Sequence, residues 1–186
     1  MDIQNLTIAE RNLYLSGNID QENISTINIE ILKILQEDEE QENIQKKYKR
    51  KPIKLYINSF GGSVYDCLSL VDIIIFSKTP IYTYCTGYAM SAAFVLFICG
   101  AKRYMSHHAT LMYHQISGTY SPKIADAEES VSECKRLEKA VNEIIINRTK
   151  ITPLQLQENR KMKSDWYIDI SEALDLGCAD EEISSF

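Results

Sequence analysis

The chain has little that would direct it to a membrane, a nucleic acid or a resident metal. No run approaches the ~18 apolar residues needed to cross a bilayer, and no basic N-terminal segment precedes an apolar core. With 20 Lys plus Arg against 26 Asp plus Glu, the formal charge is −6; phosphate recognition calls for a basic face, so nucleic-acid binding is excluded as the main business. The basic cluster Lys46-Lys47-Tyr48-Lys49-Arg50-Lys51 follows the acidic Glu37-Asp38-Glu39-Glu40, and together they read as a solvated loop. No CxxC occurs, and the adjacent His107 and His108 lack the helical i, i+4 spacing of a metal pair, so no metal site is expected. The five cysteines, Cys67, Cys85, Cys99, Cys134 and Cys178, are odd in number and set mostly among apolar residues. They read as buried thiols in a reducing compartment, and the protein is expected to be soluble and cytoplasmic. A cysteine nucleophile is disfavoured because none of the five stands on a bend between small neighbours.

Glycine is scarce too, at seven in 186 residues, and two of its placements stand out. Asn58-Ser59-Phe60-Gly61-Gly62-Ser63 closes one apolar run, and Gly87-Tyr88-Ala89-Met90-Ser91-Ala92-Ala93 sets a serine among small residues before another. Such a serine sits on a strand-to-helix bend, and a diglycine loop can bring a backbone N–H to the same point. These are the parts of a serine hydrolase.

A serine hydroxyl becomes a nucleophile only when a base takes its proton and a third group orients that base. His107 and His108 lie between Lys102-Arg103-Tyr104-Met105 and Thr110-Leu111-Met112-Tyr113, as in a solvated hairpin turn. His114 ends the second of these strands, where a side chain has rigid support, and is either the base or a core histidine bound to a carbonyl. For the acid, Asp165 in Ser164-Asp165-Trp166-Tyr167-Ile168-Asp169 adjoins the only tryptophan and is expected to be partly buried with a partner. Asp169 instead starts the next turn, with Ser171 as N-cap of a short helix and Gly177 as its C′ residue.

The coarse pattern alternates strands and helices over one domain, residues 1–186. Strands are expected at Leu13–Gly17, Lys54–Ile57 (buried) and Ile81–Cys85. Helices are expected after Asp20, over Leu68–Phe76, from Ser91 onward, and from about Lys123 to Lys150. Repeated βαβ units imply a parallel sheet with sites at the carboxyl ends of the strands, where both glycine-bearing turns fall. The last of these helices has an apolar stripe at Val131, Cys134, Leu137, Val141, Ile144 and Ile145, which needs burial. Thr152-Pro153-Leu154-Gln155 opens another helix with a capping box.

Four blocks, Ile53 to Gly62, Gly87 to Ser91, Leu111 to Gln115 and Asp165 to Ala173, together resemble the proteolytic subunit of the Clp protease, ClpP. The resemblance runs from about Asn12 to the C-terminus. It implies the α/β ClpP/crotonase fold and a serine endopeptidase with Ser91 as nucleophile, His114 as base and Asp165 as orienting acid. It further implies an oxyanion hole made by the backbone N–H groups of Gly62 and Ala92. The region of about 117–150 corresponds to a protruding handle that packs two stacked seven-membered rings, with polypeptide substrates cut inside. No cofactor is implied in this chain itself, ATP being used by a partner Clp ATPase. A noncatalytic ring subunit and an acyl-CoA enzyme of the crotonase type are disfavoured because all three triad residues are present.

Three departures from the family pattern carry expectations of their own. The chain begins about a dozen residues before its first strand, short of the usual axial segment that engages the ATPase. Phe60 replaces a usual proline and Gln36 to Arg50 is longer, which is expected to alter the substrate groove. Ser117 to Lys123, with Pro122, replaces a glycine-rich segment and is expected to change ring stacking.

Overall fold

A computed structural model of the chain describes residues 11–117 and 124–185, and the side chains of 124–126 lie outside the description. Gly118 to Lys123, and with them Pro122 and most of the segment expected to govern ring stacking, fall outside the described residues, as does the segment before Arg11.

From β1 to α3 the described chain alternates strand and helix as its periodicities require. Strand β1 (Asn12–Ile19) leads to helix α1 (Gln21–Ile44), β2 (Ile53–Gly62), α2 (Val64–Phe76), β3 (Ile81–Met90) and α3 (Ala92–Ile98). After these come β4 (Lys102–Met105), β5 (Thr110–Tyr113), α4 (Ile124–Arg148), α5 (Pro153–Met162), β6 (Trp166–Ile168), α6 (Ile170–Asp175) and the short β7 (Glu181–Glu182). The strands form one sheet in the order β1-β2-β3-β4-β7, with β5 also on β3 and β6 on β5. All described pairings are parallel except β5 with β6. This is an α/β architecture built on a mainly parallel sheet, as the resemblance implies.

The expectation of a hairpin at β4 and β5 is corrected. They are not the arms of a hairpin, because both pair parallel with β3 in tandem: Tyr82 to Cys85 face Lys102 to Met105, and Tyr88 to Met90 face Thr110 to Met112. His107 and His108 are exposed on the turn between them, where His107 Nδ1 lies 2.8 Å from Glu182 Oε1. Two short apolar runs joined by four residues look alike whether they fold back or continue past a bend. Here β3 is long enough to pair with both.

β2 is half-buried and alternating rather than buried throughout. Ile53, Leu55, Ile57 and Ser59 face the helices, whereas Lys54, Tyr56, Asn58 and Phe60 face away. The outward side carries a stacked row of Tyr14, Tyr56, Tyr84 and Tyr104, with successive ring centroids 5.1, 4.8 and 4.7 Å apart. Tyr14 is 66% exposed and Phe60 65%. Parallel sheets are ordinarily covered on both faces, so within one copy this face is bare for its type.

Asp20 caps α1 by accepting from Asn23 N at 2.9 Å, and Ile24, Ile27, Ile31 and Ile34 bury one face of the helix. The acidic run expected in a solvated loop continues that helix instead. Asp38, four residues after Ile34 on the buried stripe, is fully enclosed and accepts hydrogen bonds from Arg11, Tyr48 and Thr79. Burial alone would raise its pKa, but hydrogen bonds from Arg11, Thr79 and Tyr48 outweigh it and hold the carboxyl down to about 2. Charge count hid this residue, since a lone acid in a run of acids gives no sign of burial.

At the other end of the chain, Asp169 is itself the N-cap of α6, accepting from Glu172 N at 2.9 Å, and Ser171 lies inside the helix. Gly177 follows the C-cap with φ +64°, as a C′ glycine does. The capping box at Thr152 and Gln155 forms as expected. Along α4, Leu137, Val141 and Ile145 bury their side chains against the same subunit, whereas Val131 is exposed, so the stripe is only half satisfied. Arg148, in its last turn, donates to the carbonyls of Cys99 at 2.6 Å and Gly100 at 2.8 Å, which ties α4 to the C-terminal end of α3.

Candidate active site

Ser91 stands between β3 and α3 with φ 54° and ψ −122°, one of two described non-glycine residues at positive φ. Such a conformation costs of order 1–3 kcal/mol and persists only where the surroundings hold it. They hold it from three directions. Ser91 N donates to Met112 O of β5 at 2.8 Å, and Phe94 N returns a bond to Ser91 O at 3.1 Å. All seven residues of α3, Ala92 to Ile98, are buried, so the helix that follows cannot shift to relax the turn.

The third support is the end of β2. Gly61 has φ +101°, and a Cβ there would come within 2.8 Å of both Met90 O and Ser91 Cβ and 3.0 Å of Ala92 N. Gly62 has φ +151°, and its Cβ would meet Ile19 O at 2.2 Å. The diglycine is therefore required twice at each position, once for its dihedral and once for space. Two polar side chains brace this end of the strand: the buried Ser59 Oγ accepts from Gly61 N at 3.1 Å, and Asn58 Oδ1 accepts from Tyr88 N at 3.2 Å.

The structure brings the expected residues together. His114 follows β5, and its Nε2 lies 2.7 Å from Ser91 Oγ. On the other side of the ring, His114 Nδ1 is 3.4 Å from Asp165 Oδ1. Asp165 precedes β6, and the antiparallel pairing of Tyr113 with Trp166 is what sets it beside His114. A small pocket is lined by Gly62, Ser91, Ala92 and His114 together, so both residues named for the oxyanion hole border the nucleophile.

Asp165 departs from expectation. Its side chain is 46% exposed, against 33% for His114, and the chain's tryptophan does not cover it. Trp166 turns its indole N–H to Glu172 Oε1 at 3.0 Å instead. Asp165 Oδ2 accepts a long contact from Tyr167 Oη at 3.4 Å. Asp165 lies one residue before β6, and Trp166 is itself only partly buried, so the tryptophan next in sequence gives it no cover.

The thiols are placed as expected, with Cys67, Cys85, Cys99 and Cys178 buried, Cys134 partly so and none in a disulfide. Burial pushes Cys85, Cys99 and Cys178 up to about 12 and Cys67 also well up, so none of these four is a ready thiolate. Among the described residues no group of three or more His, Cys, Asp or Glu is placed to hold a metal ion, and no helix is long and apolar enough to cross a membrane.

Sequence reasoning missed the braces Asn58 and Ser59, as well as Cys67, whose thiol donates to Ala92 O at 3.2 Å from the first turn of α2. Asn58 and Ser59 adjoin the diglycine, and polar residues ending an apolar strand could have marked them. Nothing local marks Cys67.

The sequence of the whole chain matches one family model, Clp protease, over residues 1–185. The chain belongs to the Clp protease family. It is 32% identical over 183 residues to the ATP-dependent Clp protease proteolytic subunit 1 of Rhodopirellula baltica, covering 97% of this chain and 75% of that protein. Peptidase chemistry of the Clp type is thus the setting for the geometry around Ser91, and proteins of this family generally form oligomeric rings.

Proposed function

We propose that the chain is a serine endopeptidase in which Ser91 attacks the peptide bond, His114 acts as base and Asp165 orients His114. The observation that carries this is the 2.7 Å contact of His114 Nε2 with Ser91 Oγ on a backbone turn held at positive φ. With Asp165 facing Nδ1, the neutral imidazole carries its proton there, and Nε2 is left to accept from the serine hydroxyl.

Ser91 Oγ bonds to the scissile carbonyl carbon as its proton passes to His114 Nε2. The carbonyl electrons move onto oxygen, and the backbone N–H groups of Gly62 and Ala92 receive that oxyanion. One such donor is typically worth about 3 kcal/mol of barrier. Collapse expels the amine, which takes the proton from His114 and leaves an acyl-Ser91 ester. Water then attacks the ester with His114 again as base, freeing the carboxylic acid and restoring the hydroxyl. The 3.4 Å His114–Asp165 separation is longer than a formed hydrogen bond, and such contacts are commonly loose before substrate binds.

The substrates are unfolded polypeptides, and the enzyme works as a homo-oligomer of two stacked seven-membered rings in the cytoplasm. The bare tyrosine face of the sheet and the exposed Val131 of α4 supply apolar surface for neighbouring copies. A Clp-type ATPase delivers substrate, in keeping with the printed name of the Rhodopirellula relative, and the chain itself uses no cofactor. Replacing Ser91 by alanine tests the assignment: cleavage of an unstructured peptide is expected to vanish, and unchanged cleavage would show that another group is the nucleophile.

A further inference from the structure

The two described non-glycine residues at positive φ both fall at or near the triad. One is Ser91 itself, and the other is Lys163, with φ 50°, two residues before Asp165. Helices commonly end in such a left-handed turn, but with glycine or asparagine at the turning position. At the end of α5 a lysine takes it as the C-cap, its N–H donating to Arg160 O at 3.3 Å. A turn of this kind persists where its surroundings hold it, and here the holding contact comes from inside α5.

Asn159 is buried on the inward face of α5, three residues after the buried Leu156. A buried amide has to find a partner, and asparagine is among the weaker helix formers. Its Nδ2 donates to Ser164 O at 3.1 Å. That carbonyl belongs to the peptide unit joined to Asp165, so the bond fixes the plane from which the acid's Cα departs. On the other side, Trp166 pairs with Tyr113 of β5. The Asp165 side chain is exposed, yet its backbone is clamped through both neighbours. α5 gives Asn159 a firm base, because the helix opens with the Thr152 capping box, buries Leu156 and sets Arg160 Nη1 3.5 Å from the buried Glu138 of α4. Asn159 is not among the residues that border the small pocket at Ser91.

We infer that Asn159 is a positioning residue for the reaction: its bond to Ser164 O holds the 163–165 turn so that the Asp165 carboxylate faces His114 Nδ1. The inference rests on the orienting role proposed above for Asp165. With that side chain 46% exposed, its direction is set by the backbone it leaves from rather than by packing around it. Losing the Asn159 bond leaves substrate binding alone. It lowers the fraction of molecules in which His114 is aimed at Ser91, and so acts on kcat and not on KM.

The test is a double-mutant cycle read on cleavage of an unstructured peptide by the assembled full-length protein, with kcat and KM measured separately. Asn159→Ala is expected to lower kcat by about tenfold, short of the ~100-fold that a 1 Å misplacement can cost, and to leave KM within about twofold of the wild-type value. Asn159→Asp keeps the shape but puts an acceptor where the donor stood. It is expected to show the same loss, and it serves where the alanine variant does not fold. In an Asp165→Asn background either substitution is expected to cost less than about twofold more, because residues that act as one unit are not additive. A merely structural role would carry its full loss into that background. A tenfold loss in both backgrounds would overturn the inference, as would a raised KM with unchanged kcat, or wild-type kcat in both Asn159 variants. If Asp165→Asn itself leaves kcat unchanged, the orienting role and the positioning role fail together. If Asp165→Asn is damaging and the Asn159 variants are not, the positioning role alone fails.

Discussion

The nucleophile and the acid of the site are held in contrasting ways. Ser91 is gripped by β5 through Met112 O, by the buried α3, and by a diglycine that admits no added carbon. Asp165 sits at the edge of β6, a strand of three residues, nearly half exposed and 3.4 Å from the ring it faces. Attack and oxyanion stabilisation need sub-ångström placement, whereas orienting an imidazole tolerates more slack, so rigidity is concentrated where misplacement costs most.

Substitutions on the two sides should therefore differ sharply. The largest effect is expected at the reacting atoms: Ser91→Ala and His114→Ala should each lower kcat for a peptide by at least about 10⁴-fold, with unfolding temperature nearly unchanged. Next comes Gly61→Ala, which touches no substrate but drives a methyl into the nucleophile turn. It should cost at least about 100-fold in kcat and show a lowered melting temperature, because a displacement of about 1 Å near the chemistry is worth that much. On the acid side, Asp165→Asn is expected to cost only about 30-fold in kcat, well short of the ~10⁴-fold of a buried, well-formed triad acid. The smallest effect belongs to Tyr167→Phe, where losing a 3.4 Å contact should change kcat/KM by less than about threefold. If Asp165→Asn proved as damaging as His114→Ala, the acid would be far better held in the working enzyme than its exposure here implies, and the contrast would collapse.

The same contrast governs what could be read from the residues alone. The nucleophile side is local: small residues around Ser91 and two consecutive glycines state the turn and the close approach in their own chemistry. Helix starts were equally legible where the cap is local, as at Asp20 and Thr152. The acid side depends on a strand pairing across more than fifty residues of chain, and no periodicity announces that β6 runs antiparallel to β5. The hairpin expected around His107 failed for the same reason, since the partner of both β4 and β5 is the distant β3. Asp38 shows a third limit. Its burial follows from its place on the isoleucine stripe of α1, yet its partners come from Arg11, Tyr48 and Thr79, and three separate segments leave no shared pattern. Asp165 was found and its burial misjudged, because Trp166 is itself only partly buried and turns its indole toward Glu172, so a tryptophan next in sequence brings no cover.

The central claim is that one hydroxyl, activated by His114, carries out the chemistry. Treating the intact protein with a fluorophosphonate probe and mapping the adduct by mass spectrometry tests it directly. A single adduct on the peptide containing Ser91 is expected, absent in Ser91→Ala and strongly slowed in His114→Ala. An adduct on another residue, or undiminished labelling in His114→Ala, would contradict it.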